Sequence, residues 1–405
     1  NFFKNTLIKH FEFIGFNFVF ENNNIVFRNH LIRLITLSDF LDDFASCNFK
    51  NHRFILSGIE DLKRDLKNHF RIIISKKDWS HDSKFSVITN QNIISTYNVL
   101  NKKFFLRKIF GNEYLILNEN EIRFLSNFFF ENSHFSEKFA RASFALSQGW
   151  GCWVKLDTIN LEWHFFLEPF DEISQIKQLL SNNKFVYLSA LRRDNFFKNY
   201  LKKQNLNIDL EVNFKSNFVE KKIPLYVPPK QLLPNNPFFI SEVSEKCKKL
   251  TIFRKGLNLV LSEDFDLKTH LATELASKYG KKVLLETIPS LDNQILCSSF
   301  EWWINNSNLI DIPEQIIIPL LPLPNLSEPI NLLTIAHNKR VSLDWFREFL
   351  LPEAMMKLER SISPLRRNSG KLIILDGRVN KRKWGRQLLQ EIQPSKQINY
   401  LLPFD

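Results

Sequence analysis

The stretch that decides the fold is Leu350-Leu351-Pro352-Glu353-Ala354, then Ser363-Pro364-Leu365-Arg366-Arg367, Leu372-Ile373-Ile374-Leu375-Asp376-Gly377-Arg378 and Trp384-Gly385-Arg386. A proline early in an apolar segment suits the first turn of a helix, where its missing N–H costs no bond. The block reads as that helix, a turn holding two arginines, a four-residue apolar strand that ends on an acid, and a closing basic helix.

Outward from this block the same alternation continues. Leu257 to Leu261 predicts a strand and 267 to 279 a helix. Val283-Leu284-Leu285, Gln294 to Cys297 and Ile316-Ile317-Ile318 predict further strands. Residues 343 to 362 predict a long helical region, 372 to 375 a strand, and 383 to 392 the last helix. Strands alternating with helices imply crossover units, hence an α/β, doubly wound and mostly parallel sheet over residues 223–405. The stretch Ile223 to Pro237 holds Pro224, Pro228, Pro229, Pro234 and Pro237. Prolines remove helix and ladder donors, so this stretch reads as a connector and boundary.

Residues 1–222 read as a separate α/β region. It has a strand at Phe54-Ile55-Leu56, a helix from Glu60 with Leu62, Leu66 and Phe70, and Ile72-Ile73-Ile74 after it. Residues 76–165 form a mixed, aromatic-rich insertion, helical around 121 to 146 and strand-like from Trp163 to Leu167. Phe185-Val186-Tyr187-Leu188 then predicts a strand before Ser189-Ala190, and Phe196, Phe197, Tyr200 and Leu201 a helix.

A chain of 405 residues is long enough for two or three domains, and its first residue, Asn1, reads as the start of a fragment or processed product. Its longest apolar runs fall far short of the roughly 20 residues that span a bilayer. Cys47, Cys152, Cys247 and Cys297 lie far apart, which argues against a zinc ribbon or disulfide framework and suits a reducing cytoplasm. A net charge of +12 favours a polyanionic partner; the abundance of Phe, Asn, Lys and Ile equally fits an AT-rich genome that raises Lys on any surface.

Phosphate chemistry needs a glycine-rich loop ending in Gly-Lys and a hydroxyl residue. The Gly-Lys pairs are Gly280-Lys281 and Gly370-Lys371; Leu275 and Leu365 replace the loop's first glycine, and Lys282 and Leu372 replace the hydroxyl. Metal-holding acids should follow a buried strand. Ser57-Gly58-Ile59-Glu60-Asp61-Leu62-Lys63 supplies Glu60 and Asp61 in displaced positions, where they also suit the positive end of the following helix. Nine histidines show no HExxH spacing, no GxSxG elbow occurs, and Asp171-Glu172 near Lys177 is too loose for a nuclease centre.

Further motifs follow in order: Ser189-Ala190, with Leu191 next; Tyr226-Val227-Pro228; Leu233-Pro234-Asn235-Asn236-Pro237-Phe238; Ser299-Phe300-Glu301-Trp302; Asp311-Ile312-Pro313; and Leu321-Pro322-Leu323-Pro324. With the block at 350–391, this order resembles the DinG/XPD-like DNA helicases of superfamily 2, in particular a cyanobacterial DinG-like branch. The family patterns are approximately Ser-Ala-Thr, Ser-Phe-Trp-Glu-Gly-x-Asp-x-Pro, Leu-Pro-Phe-Pro, Gln-Gly-x-Gly-Arg-x-x-Arg, Asp-x-Arg and Tyr-Gly-Arg.

The departures are specific. Leu191 replaces the threonine, the Glu-Gly is missing, and Arg360-Ser361-Ile362-Ser363-Pro364-Leu365-Arg366-Arg367 carries Pro364 where the first arginine belongs. Only Arg367 matches a finger position, from which an arginine would stabilise charge on a transferring phosphoryl group.

The resemblance implies a RecA-like second lobe at 223–405, preceded by a partial first lobe with an insertion. It implies ATP-driven unwinding of DNA with Mg²⁺ in repair or replication, with Glu60, Asp61 and Arg367 as catalytic candidates. Many relatives hold an iron–sulfur cluster on clustered cysteines; the scatter of cysteines here implies none. For DNA, the candidates are Arg360, Arg366, Lys381, Arg382, Lys383 and Arg386, a basic turn and helix end beside Trp384. Two readings stand: a helicase whose phosphate loop precedes Asn1, and a non-hydrolysing nucleic-acid-binding or scaffold protein of helicase descent.

Overall fold

The computed structural model describes residues 19–21, 24–27, 30–44, 53–79, 87–108, 114–189, 198, 201–202, 204–212, 221–251, 256–290, 294–367 and 370–399. Cys47, Ala190 and Leu191 lie outside them, as do Phe196, Phe197 and Tyr200 of the helix expected there. The chain divides into two compact units, Asn1–Ser189 and Ala190–Asp405.

The first unit opens with an antiparallel meander of β1 (Val19–Glu21), β2 (Asn24–Phe27) and β3 (His30–Arg33), followed by α1 (Leu37–Phe44). Next come β4 (Phe54–Ser57) and α2 (Ile59–Phe70). The turn between them uses Gly58 at φ 72°, a left-handed conformation that glycine adopts without a Cβ clash. Acids fill the first turn of α2 and Lys67 and His69 its last, matching the helix dipole at both ends.

The insertion then forms β5 (Ile72–Ile74), α3 (Lys76–Trp79), α4 (Val87–Lys108), β6 (Tyr114–Ile116), α5 (Glu119–Glu131), α6 (Glu137–Ser147), β7 (Gly151–Asp157) and β8 (Glu162–Glu168). Its strands make an antiparallel sheet in the order β5-β8-β7-β6. The chain enters at β5 and leaves at β8, and Ile72 faces Leu167 across that pair, so the insertion closes on itself. The helical content expected around 121 to 146 is two helices; α4 and β7 were not anticipated. Aromatic packing holds this core: Trp79, 1% exposed, stacks on Phe128 and meets Tyr97, Phe129, Phe139 and Phe165. After α7 (Lys177–Asn182), β9 (Phe185–Leu188) returns to pair in parallel with β4.

The second unit is built on seven strands: β10 (Ile223–Tyr226), β11 (Asn258–Leu261), β12 (Val283–Leu285), β13 (Ile295–Ser298), β14 (Gln315–Ile318), β15 (Lys371–Ile374) and β16 (Ser395–Ile398). Their order is β12-β13-β11-β14-β15-β10-β16, and every pairing is parallel. The helices are α8 (Phe239–Leu250), α9 (Phe265–Tyr279), α10 (Phe300–Asn306), α11 (Pro329–Arg340), α12 (Leu351–Ile362), α13 (Arg378–Lys381) and α14 (Gly385–Glu391).

Alternate residues of each central strand face two separate cores. Leu259, Leu296, Ile316 and Leu372 pack with α10, α12 and α14; Val260, Cys297, Ile317 and Ile373 pack with α8 and α9. Coverage on both faces is why these strands read as unbroken apolar runs. The doubly wound parallel sheet expected from the sequence is present.

The proline-punctuated connector is in part a strand. β10 lies between β15 and β16, because Pro224 removes a single donor while Ile223, Leu225 and Tyr226 remain free to carry the ladder.

Candidate functional site

In doubly wound sheets, ligands meet the crevice beyond the carboxyl ends of the strands where the winding reverses. Here that rim carries Ser262-Glu263 after β11, Glu286 after β12, Ser299 after β13, Leu320-Leu321 after β14 and Asp376-Gly377-Arg378 after β15.

Asp376 braces the rim. It is fully buried, accepts from the Leu321 amide at 3.0 Å and the Arg378 amide at 2.9 Å, and takes Nε and Nη2 of Arg378 at 2.6–3.0 Å. Two motifs 55 residues apart, the Leu-Pro run and the Asp-Gly-Arg turn, are thus fixed by one carboxylate. Gly377 N donates to Leu232 O, and Asn380 reaches Pro228 O at 2.9 Å, which ties in the loop after β10. Arg378, held in a forked ion pair, is a structural cation.

Four charged residues not anticipated from the sequence complete the rim. Lys357 pairs with Glu263 at 2.6 Å and Lys268 with Glu286 at 2.6 Å, while Phe300 N donates to Glu263 and Ser299 N and Oγ to Glu286. Burial raises the Glu286 carboxyl, yet the hydrogen bonds from Lys268 and Ser299 outweigh it and hold the group below its ordinary value. Glu286 adopts φ 45°, an uncommon conformation that the two hydrogen-bonding partners hold in place. The available signal was an acid after an apolar strand, directly after it for Glu286 and one residue further on for Glu263.

The basic candidates separate into two sets. Lys381, Arg382, Lys383 and Arg386 are exposed from the last residue of α13 to the first turn of α14, after the carboxyl end of β15, and form no ion pair with any described residue. Trp384 lies among them, and Gly385 is required there because a Cβ would overlap the Val379 carbonyl. Arg360 lies in the last turn of α12, one turn beyond Lys357, and Arg366 and Arg367 follow the helix, before β15 begins. A four-residue strand is about 13 Å long, so Arg366 and Arg367 stand before one end of β15 and the 381–386 cations beyond the other. Arg366 donates to Ile392 O at 3.2 Å, whereas Arg367 is exposed.

In the first unit, β4 and β9 align Ser57 with Leu188. That register brings Glu60, at the start of α2, to Ser189, whose hydroxyl donates to Glu60 Oε1 at 3.3 Å across 129 residues. Glu60 is buried; Asp61 is half-buried and pairs with Arg64 at 3.1 Å.

Neither Gly-Lys pair of the described residues forms a phosphate cradle. A phosphate cradle needs glycine amides leading into a helix. Gly280 instead ends α9, and Gly370 leads directly into β15. Among the described residues no group of three His, Cys, Asp or Glu side chains could hold a metal ion. Cys152, Cys247 and Cys297 are buried packing groups; burial pushes the thiols of Cys152 and Cys297 up to about 12. No helix among the described residues is long and apolar enough to cross a membrane.

No protein-family model matches the chain. Over 150 residues it is 27% identical to the ATP-dependent DNA helicase YoaA of Haemophilus influenzae; the match takes in 36% of this chain and 23% of that protein's length. A solved XPD helicase superposes over 89% of this chain and 71% of its own, with TM-score 0.51 and 11% identity. Xpd4 of S. tokodaii does so over 87% and 77%, with TM-score 0.53 and 13% identity. In fold and motif order the chain is thus similar to DinG/XPD-like helicases of superfamily 2, and its curated match spans less than a quarter of that relative's length.

Proposed function

We propose that the chain is part of an ATP-driven DNA helicase of the cyanobacterial DinG-like branch, acting in the cytoplasm in repair or replication. Its second unit holds the DNA backbone through Lys381, Arg382, Lys383 and Arg386. The observation that carries this reading is the exposed cationic segment standing on a rim braced by Asp376. A fixed platform presenting unpaired cations suits phosphates better than a flexible tail does, because less conformational freedom is lost on binding. ATP and Mg²⁺ would need a phosphate loop outside the described residues, such as a Gly-Lys-Thr or Gly-Lys-Ser loop some tens of residues before Asn1.

A second reading, a non-hydrolysing DNA-binding or scaffold protein of helicase descent, is favoured by Pro364 at the first-arginine position and by the ion pairing of Asp61.

The test is DNA-stimulated ATP hydrolysis by the full-length protein, wild type and Arg367→Ala. The helicase reading expects stimulated turnover that falls by about 10³-fold or more in the variant if Arg367 acts as the finger. Absent stimulation, with salt-sensitive DNA binding intact, selects the second reading. Lys381→Glu with Arg386→Glu should weaken DNA binding and reduce its salt slope by roughly 2; unchanged affinity would remove the cationic segment from either reading.

A further inference from the structure

The insertion joins the rest of the first unit where the chain crosses twice, at Arg71-Ile72 and at Glu168-Pro169. A neck of two crossings leaves an appended body free to swing, because a few residues at the ends of elements can absorb the motion. This neck is fastened to α2 instead. Glu168, fully buried at the end of β8, accepts a hydrogen bond from Arg71 Nε, and Lys67 Nζ lies 3.4 Å from its other oxygen. A buried carboxylate holds its cations firmly, since losing them leaves an uncompensated charge away from water. Phe70, in the same last turn of α2, stands edge-on to Trp150 at 6.4 Å and 74° and packs against the insertion's core. The end of α2 and the neck are therefore held as one piece.

The start of α2 meets the candidate acids. Gly58 N donates to Leu188 O at 3.1 Å, and the Ser189 hydroxyl to Glu60 Oε1 at 3.3 Å. Between these two anchorages α2 runs 12 residues, about 18 Å. It contains no glycine or proline, the usual sources of a kink, and Leu62 and Leu66 are buried along its length. A rod of about 18 Å tilted by about 5° moves its far end by about 1.5 Å. That shift takes a 3.3 Å hydrogen bond out of range.

We propose that α2 is a stiff lever: the angle of the insertion, fixed by Glu168 with Arg71 and Lys67, sets the contact between Glu60 and Ser189. A load on the insertion thereby shifts Glu60 against Ser189. The inference goes beyond both readings above and holds for either, since it needs neither ATP hydrolysis nor bound DNA. Coupling between two sites is reciprocal, so releasing Ser189 loosens the neck in turn.

The test is peptide-resolved hydrogen exchange on the full-length protein. Glu168→Gln removes the charge and keeps the shape. It should speed exchange about threefold or more in 58–62 and 186–189 as well as in the neck, and leave 97–104 and 125–129 within about twofold. Ser189→Ala alters no residue of the insertion, yet it should speed exchange in 67–74 by a similar factor. The two changes together should give less than the product of their separate factors, because the second finds the lever already released. The lever is overturned if Glu168→Gln loosens only 67–74 and 150–168, if Ser189→Ala leaves 67–74 unchanged, or if the two factors multiply. Should Glu168→Gln unfold the insertion, seen as lost protection in both 97–104 and 125–129, the Ser189→Ala result decides by itself in the same two directions. Loss of ATP hydrolysis or DNA binding in the earlier tests bears on those readings and leaves the lever standing.

Discussion

The antiparallel sheet of the insertion and the parallel sheet of the second unit solve the burial problem differently. The insertion packs its core on aromatic rings from helices and strands, with Trp79 touching five of them. The second sheet buries aliphatic residues on both faces and pushes its polar groups to the strand ends, where Asp376, Glu263 and Glu286 are held by hydrogen bonds. A sheet covered on both faces has only its rims to offer a ligand. That explains why the candidate chemistry of the second unit collects on one rim.

The comparison breaks most decisively at Trp79. Trp79→Ala should destabilise the insertion by about 3–5 kcal/mol through the cavity it leaves. Peptide-resolved hydrogen exchange should show lost protection in 72–168 and retained protection in 223–398. Equal loss in both would mean that the two cores do not behave separately.

Next in size is Asp376→Ala. It strands the Leu321 amide and leaves the Arg378 guanidinium without its carboxylate, at a cost of about 3 kcal/mol. Chemical denaturation should register it in the second unit, with protection lost first in residues 319–324 and 376–381. A change under about 0.5 kcal/mol would show that the brace is dispensable.

The smallest effect is acidic. Glu286 is held below its ordinary value of 4.5, so its contribution is complete above that pH and is lost as pH falls through the lowered folded value. Glu286→Gln should therefore flatten the second unit's stability loss below about pH 4.5 by about 1 kcal/mol or less. Glu121 in the insertion is similarly lowered, against burial, by Asn118, Lys103 and Arg107, so the first unit should keep its acid sensitivity in that variant.

Much of the second unit was legible because its strands are short apolar runs between helices: Leu257 to Leu261 and Ile316 to Ile318 each fall on an observed strand. β10 was not, because Pro224 and its neighbours mask a strand whose place is set by β15 and β16. In the insertion, α4 reads weakly since its apolar residues show no single stripe, and only packing around Trp79 and Phe165 defines its buried side. Of the site, the cationic segment was visible as a charge run. Its separation from Arg366 and Arg367 was not, since neighbours in the chain stand at opposite ends of a strand.

The sequence by itself determined the α/β class, the parallel lobe and the ordered motifs, because periodicity and turn chemistry act over a few residues. Tertiary structure alone decided that Asp376 holds Leu321, that Ser189 meets Glu60, and that Phe346 packs on Trp384. Those contacts depend on strand register and helix placement, which local pattern does not carry.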